Sequence, residues 1–579
     1  MRNKFPLFLV LPALMAAAAF RFINGHQSRS PSVAGATITQ LKKASIGCGG
    51  NYGDIAEPVD IPPLTGWGSY TWKITTSSDS AQFYFNQGIN MYYAFHTLES
   101  RASFKKAVRF DSTCAMAWYG RALSLGPNIN FGSGYRAPAE AYIAAENSAR
   151  YEAACTPMEK SLIWAIRQHY ATNTSMSLDS LQENYTRAME QISLKYPDNA
   201  DVVTLYADAL MMQHPWDLYD ANLQPRSWTP GIGKVLDRAL AIAPQHPGAN
   251  HLRVHVLEGS LHPEDALKNA EVLATLMPGV SHLVHMPAHI YIRTGHYRYG
   301  IEANNKAVAD YDSYRQLYQP VSRAAMFYSY HAIHLKAACA QMAGDYHTAM
   351  EAGDSLRRQI SSRYLTAPAP VGSFIQYQYE SCLFTEVRFG KWESILQEKV
   401  IDTLPYASVI AHFARGIAYS HLLRFQEAAR ELQLVKEGMK NEGLSISTGI
   451  NSSAYAVCQV AEAILTGVLA EQQGHPEEAI AAFQKAVSAE DSLIYNEPRD
   501  WPLPARQYLG NILLKKGAYR EAILVFNKDL QINPLNGWSL TGLKLAFTAD
   551  HDQEALRKVE EQLRTAWQIR DLPIERPVF

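Results

Sequence analysis

Histidine is the residue through which this chain could do chemistry. Ten of its 19 histidines fall between His246 and His334, and their spacing is regular. His251 and His255 are four residues apart, as are His285 and His289. On a helix that spacing puts two side chains on one face, so two imidazoles can share one metal ion. Glu258 adds a carboxylate one turn beyond His255, and His282, His331 and His334 complete a set of eight. Neutral imidazole with carboxylate suits a divalent transition metal such as Zn, Fe or Cu, with Mn and Ni also compatible. Ligand type alone does not choose among them. A single helical histidine is more often a hydrogen-bonded structural group, so the case for a site rests on eight residues sharing one face. His246, His262 and His296 fall at loops or helix junctions and stay outside the set.

The elements that must position these side chains follow from an internal repeat of about 34 residues. The clearest unit, ARQYLGNILLKKGAYREAILVFNKDLQINP, places Gly510 at position 8, Gly517 at 15, Tyr519 at 17, Ala522 at 20, Phe526 at 24 and Pro534 at 32. Small residues at 8 and 20 let two helices approach closely, larger apolar residues fill between pairs, and the proline ends the second helix. The same frame fits AEAILTGVLAEQQGHPEEAIAAFQKAV, with Gly467, Gly474, Ala479 and Phe483, and FNQGINMYYAFHTLESRASFKKAVRFDS, with Gly88 at position 8. A looser copy carries Gly416, Phe425 and Ala428. This pattern predicts an all-α, tetratricopeptide-type helix-pair solenoid, a right-handed superhelix over about residues 78–572 with almost no strand.

The frame also says where the histidines point. His251, His255 and Glu258 take positions 5, 9 and 12 of one unit; His282, His285 and His289 take 2, 5 and 9 of the next; His331 and His334 take 2 and 5 of a third. These positions form one stripe on the first helix of each pair, the stripe that lines the concave groove of tetratricopeptide folds. First helices stacked about 10 Å apart bring the stripes within reach of each other. The expectation is that His251, His255, His285 and His289 converge, with Glu258, His282 and His334 close by. A separation of the His255 and His289 rings beyond about 10 Å would end the metal reading.

Bulk properties narrow the rest. At 579 residues the chain is too long for one ordinary core, which suits a repeat array. A formal net charge of -2, with no Lys/Arg run, argues against nucleic acid as a partner. The six cysteines are scattered without a CxxC pair, which argues against a zinc-finger module and a dense disulfide scaffold and leaves room for one or two disulfides. No Walker loop, HExxH or GxSxG motif is present. Arg2 and Lys4 precede an apolar run from Phe5 to Phe20 that ends in Ala16–Ala19, the pattern of a signal peptide or an uncleaved N-terminal anchor. The expected organisation is therefore a signal segment over 1–25, an irregular leader over 26–77, a His-rich array over 78–355 and a second array over 356–579. The expected location is the periplasm or cell envelope, with a membrane contact only through a retained N-terminal segment.

Several stretches, among them AQFYFNQGINMYYAF, HPGANHLRVHVLEGS, SHLVHMPAHIYIRTGHY and DLQINPLNGWSLTGL, together resemble a widespread bacterial family of tetratricopeptide repeat proteins. The resemblance runs from about residue 65 to 550. It implies a helical-repeat fold and the same histidines at His251, His255, His282, His285, His289, His331 and His334, with Glu258; it implies no particular reaction. This chain departs from the family at Phe95-His96-Thr97, where Phe-Asn-His is common, and at Ala332, where Asn is common.

Two classes of function follow. One is a metal-dependent site in the groove, of oxidoreductase or hydrolase type. The other is a non-catalytic scaffold whose groove binds a peptide, a protein or a small molecule. Metal analysis discriminates them.

Overall fold

A computed structural model describes residues 60–130, 135–171, 176–318, 325–447 and 452–579. The expected signal segment, and the leader as far as residue 59, lie outside the described residues. Over the described residues the chain is a succession of antiparallel α-helix pairs. Their one extended contact is an isolated bridge between Tyr219 and Pro225. The all-α helix-pair solenoid read from the sequence is the fold.

The repeat frame is visible in the packing. A Cβ on Gly88 would meet the Phe104 ring at 2.9 Å; the equivalent contacts are Gly467 on Phe483 at 2.5 Å and Gly510 on Phe526 at 2.4 Å. In each case a glycine at position 8 makes room for a phenylalanine at position 24 of the partner helix. This contact fixes the separation of the pair, and any side chain at position 8 would force the helices apart.

Among the described residues, five turns between helices use glycine in the left-handed region, at Gly295, Gly344, Gly390, Gly474 and Gly517. In the first unit the same position is Phe95, at φ +58°, and Trp216 is also left-handed at +60°. Bulky residues rarely hold that conformation, and it costs about 1–2 kcal/mol where they do.

The N-terminal pair is α1 (Asp79–Tyr93) and α2 (Thr97–Phe110). Residues 60–77 are irregular, as expected, yet packed: Trp72 and Leu64 are buried, and their N–H groups donate to the side chains of Asn86 and Gln87 on α1. The histidines lie on α3 (Pro247–Glu258), α4 (Ser281–His285), α5 (Pro287–Arg293) and α7 (Ala325–Ala343), with α6 (Tyr297–Leu317) returning between α5 and α7. His246 caps α3 by accepting the Ala249 N–H, Pro247 occupies the first turn and Gly259 ends the helix. A single first helix was expected across 281–293. Pro287 has no N–H to give, so the helix divides there into α4 and α5.

The histidine stripe is not an open groove wall. C-terminal units pack back onto the histidine units: Arg293 donates to the Ile532 carbonyl, Tyr297 to that of Pro534, and Trp538 to that of Gln341. The described cysteines, Cys114, Cys155, Cys339, Cys382 and Cys458, are buried free thiols, so no disulfide forms among them.

Candidate metal centre

All eight candidate residues come together and all are buried; none is more than 5 % exposed. The His255 and His289 ring centroids lie 6.0 Å apart. The histidines sort into two triads, His251–His255–His282 and His285–His289–His331, and within each the ring nitrogens lie within 4.8 Å of one another. The closest pairs meet through Nε2: His251 to His255 at 3.1 Å, His285 to His289 at 2.9 Å and His289 to His331 at 3.2 Å.

The other ring nitrogens are held from behind. His251 Nδ1 lies 2.7 Å from the Tyr93 carbonyl, one of the acceptors that the end of α1 leaves without a helical partner. His255 Nδ1 lies 3.1 Å from Glu258 Oε1, and His289 Nδ1 lies 2.5 Å from Glu258 Oε2. His285 Nδ1 lies 2.6 Å from Asn304 Oδ1, and Asn304 is oriented by donating its amide to the Gly300 carbonyl. Every one of these partners is an acceptor, so each Nδ1 carries the proton and each Nε2 presents a lone pair. Glu258, expected beside the histidines as a carboxylate ligand, places Oε1 at His255 of one triad and Oε2 at His289 of the other. His334 sits beside His331 but outside both triads, with its ring edge-on to Tyr377 at 4.6 Å.

Burial dominates the electrostatics. It holds His251, His282 and His331 well below the ordinary histidine range, with neighbouring imidazoles adding to the effect. It also takes His285 down to about 3, again with help from His289. For Glu258 burial acts to raise the pKa, and the hydrogen bonds and charge of His289 and His255 outweigh it, bringing it to about 2. The cluster is thus a set of buried imidazoles around one ionised carboxylate.

Aromatic rings wall the cluster. Phe95 stands 4.4 Å from the His251 ring and 5.7 Å from His255, Trp216 is edge-on to His255 at 5.1 Å, and Tyr328 is 4.5 Å from His282. Phe95 and Trp216 are also two of the six non-glycine residues with left-handed backbone among the described residues, so two strained positions lie beside the histidines. Neither His282 ring nitrogen has a hydrogen-bond partner. Beside this wall His96 pairs with Glu99 at 3.2 Å, and the Tyr314 hydroxyl donates to the same carboxylate.

Sequence reasoning missed Trp216, Asn304, the Tyr93 carbonyl and the Phe95 turn. Two signals could have found them. Asn304 occupies position 24, where other units have Phe104, Phe483 and Phe526, and Phe95 occupies position 15, where other units have glycine. Tyr92, on the helix before the Phe95 turn, donates to Asp208 at 2.5 Å.

Among protein families, the tetratricopeptide repeat matches residues 465–492, within one of the units read from the frame. No curated protein matches the chain. Similar solved structures include yeast Tom70 (14% identity, 83% of this chain and 92% of that one, TM-score 0.33) and human IFIT1, a dimer with PPP-AAAA (14%, 85% and 91%, 0.30). The P58(IPK) TPR domain is a third (14%, 72% and 98%, 0.20). The histidine triads are thus set in an array of tetratricopeptide-type helix pairs.

Proposed function

We propose that the six triad histidines bind transition-metal ions through their Nε2 atoms, with Glu258, Asn304 and the Tyr93 carbonyl as the outer hydrogen-bonding shell. One observation carries this reading. Nδ1 of His251, His255, His285 and His289 faces an acceptor, so the Nε2 atoms that meet at 2.9 and 3.1 Å are both lone-pair bearers. Two lone pairs at that range in a buried site repel unless a cation lies between them. The spacing also suits a metal: nitrogens bound at 2.0–2.1 Å lie about 3.3–3.4 Å apart in a tetrahedral shell and about 2.8–3.0 Å apart in an octahedral one, and the closest Nε2 pairs, at 2.9, 3.1 and 3.2 Å, span that range. A carboxylate or amide behind a ligating imidazole is the usual second layer of a metal site.

The test is metal analysis of the full chain purified without chelators. The expected result is a stoichiometric transition metal. A folded protein that takes up no Zn, Cu, Fe or Ni on dialysis would refute the reading and leave the histidines structural.

A scaffold role is a second reading, favoured by a cleft of about 430 Å³ lined by Tyr142, Tyr170, Leu181 and Met212. A polypeptide or small ligand fits such a surface, and substitution of Tyr142 would weaken capture of a partner while leaving metal content unchanged. Export belongs to the proposal as well: the charged start and the apolar run to Phe20 support delivery to the envelope. Mass spectrometry of the native N-terminus tests it, with processing near Ala17–Ala19 expected and an intact cytoplasmic Met1 contrary.

A further inference from the structure

We propose that Arg293 is a positioning residue of the metal centre and its link to the C-terminal units, so that metal binding at the triads and docking of the helix Tyr519–Ile532 are coupled. This rests on the metal reading above and goes beyond it by naming the contact through which the site is regulated.

The geometry begins with three helix ends. Arg293 closes α5, one turn beyond His289, and is 5 % exposed. Its Nε donates to the Glu258 carbonyl at 3.0 Å, Nη2 to the Ser260 carbonyl at 2.9 Å and Nη1 to the Ile532 carbonyl at 2.6 Å. Glu258 is the last residue of α3, and Ile532 is the last of its own helix. Carbonyls at these places lack intrahelical partners, and the negative end of the helix dipole favours a cation beside them. One guanidinium therefore caps two helices from distant units while it stands at the end of a third. The Tyr495 ring covers it at 5.4 Å and packs on Gly259, where a Cβ would meet that ring at 3.2 Å. Glu497 lines the same small cavity without forming an ion pair to it.

The metal centre feels this contact through Glu258, which α5 grips twice. The Glu258 side chain meets His289 Nδ1 through Oε2, and the Glu258 backbone carbonyl accepts from Arg293 Nε. Residues 289 and 293 are four apart, so both grips come from one face of α5. The same carboxylate meets His255 through Oε1. Arg293 thus fixes α5 against α3 at the residue that orients one histidine of each triad, and its tie to Ile532 gives the C-terminal helix a lever on that joint. Metal–nitrogen bonds near 2.0–2.1 Å tolerate little slip. A C-terminal helix that draws Arg293 away loosens His289 from His255; ions held at the triads keep Arg293 within reach of Ile532. The coupling is reciprocal by thermodynamic necessity.

Tyr297 supplies the comparison. Its hydroxyl makes a second tie to the C-terminal units, donating to the Pro534 carbonyl at 2.8 Å, but it stands at the start of α6, outside the joint of α3 and α5.

The experiment titrates the full chain with zinc(II) against a chromophoric chelator and follows hydrogen exchange in peptides covering 519–536, metal-free and zinc-loaded. Zinc should slow exchange there in wild type by about 5-fold or more. Arg293→Gln should bind zinc about 10- to 100-fold more weakly and lose the zinc-dependent slowing. Arg293→Lys, which keeps the charge and loses the fork that spans three carbonyls, should behave alike. Tyr297→Phe should keep zinc affinity within about 2-fold, and circular dichroism reports that each variant is folded. Unchanged wild-type exchange on zinc loading overturns the inference without any variant having to fold. Folded Arg293 variants with wild-type zinc affinity, or an equal loss in Tyr297→Phe, also overturn it and leave the metal reading standing. Wild type that takes up no Zn, Cu, Fe or Ni overturns the metal reading and this inference with it.

Discussion

The pairs at residues 281–317 and 505–532 share one repeat frame and put it to opposite uses. At positions 5 and 9 the C-terminal pair carries Gln507 and Asn511; the other carries His285 and His289. At position 24 the C-terminal pair fills its core with Phe526 against Gly510, and the other places Asn304 behind His285. The repeat frame is common to both, although the first helix of the histidine pair breaks at Pro287; the frame sets the face a residue takes, and the residue decides whether that place is packing or chemistry. The histidine pair has exchanged apolar filling for a polar layer that sets the protonation of its imidazoles.

The largest contrast comes from replacing equivalent positions. His255→Ala with His289→Ala should remove essentially all bound metal, because each triad loses a donor, while helix content by circular dichroism stays unchanged. Gln507→Ala with Asn511→Ala should leave metal content at the wild-type level. Equal loss in both variants would break the contrast.

Position 24 gives the next. Phe526→Ala empties a buried site and should destabilise the fold by about 3–5 kcal/mol in denaturant melts, with no change in metal affinity. Asn304→Ala should do the reverse, lowering metal affinity by about 10- to 100-fold in a competition titration because His285 loses the acceptor that holds its tautomer.

A histidine outside the cluster supplies the pH comparison. His169 is buried on the Tyr185 ring with only Gln182 as partner, and burial takes its pKa down to about 4, the bond to Gln182 opposing. Between pH 4 and its unfolded value of about 6.5 the unfolded chain holds the extra proton. Stability from this group is therefore full above about 6.5 and falls as pH drops toward 4, by about 3 kcal/mol. Urea melts of wild type and His169→Asn at pH 7 and pH 5 should show that the variant loses less stability on acidification; parallel losses would contradict the assignment.

The smallest contrast uses two left-handed residues at the same turn position. Leu423, at φ +59°, is 64 % exposed, so Leu423→Gly should stabilise by about 1 kcal/mol. Phe95→Gly relieves similar strain but empties a buried core position and uncovers His251 and His255, so it should lower thermal stability and metal retention together.

How far the sequence reaches can be seen residue by residue. The 34-residue frame was legible because Gly88, Gly467 and Gly510 each face a phenylalanine sixteen positions on, and that single periodicity also put the histidines of three units on one stripe. What lay beyond it was set by tertiary contact. That the stripe is covered depends on Ile532 and Pro534 returning to Arg293 and Tyr297, a pairing across more than two hundred residues. That six histidines divide into two triads depends on the break at Pro287 and on Glu258 turning its oxygens to two different rings. Periodicity alone encodes neither. Asn304 and Phe95 were legible as exceptions to the frame.

The central claim is that the Nε2 atoms of the triads face one another around cations. Anomalous diffraction from crystals of the full chain, recorded across the absorption edge of the metal found by elemental analysis, tests it most directly. The account predicts anomalous density within about 2.1 Å of Nε2 of His255 and of His289. Protein supplied with metal that shows no density there, with His251–His255 and His285–His289 still in close contact, would contradict it.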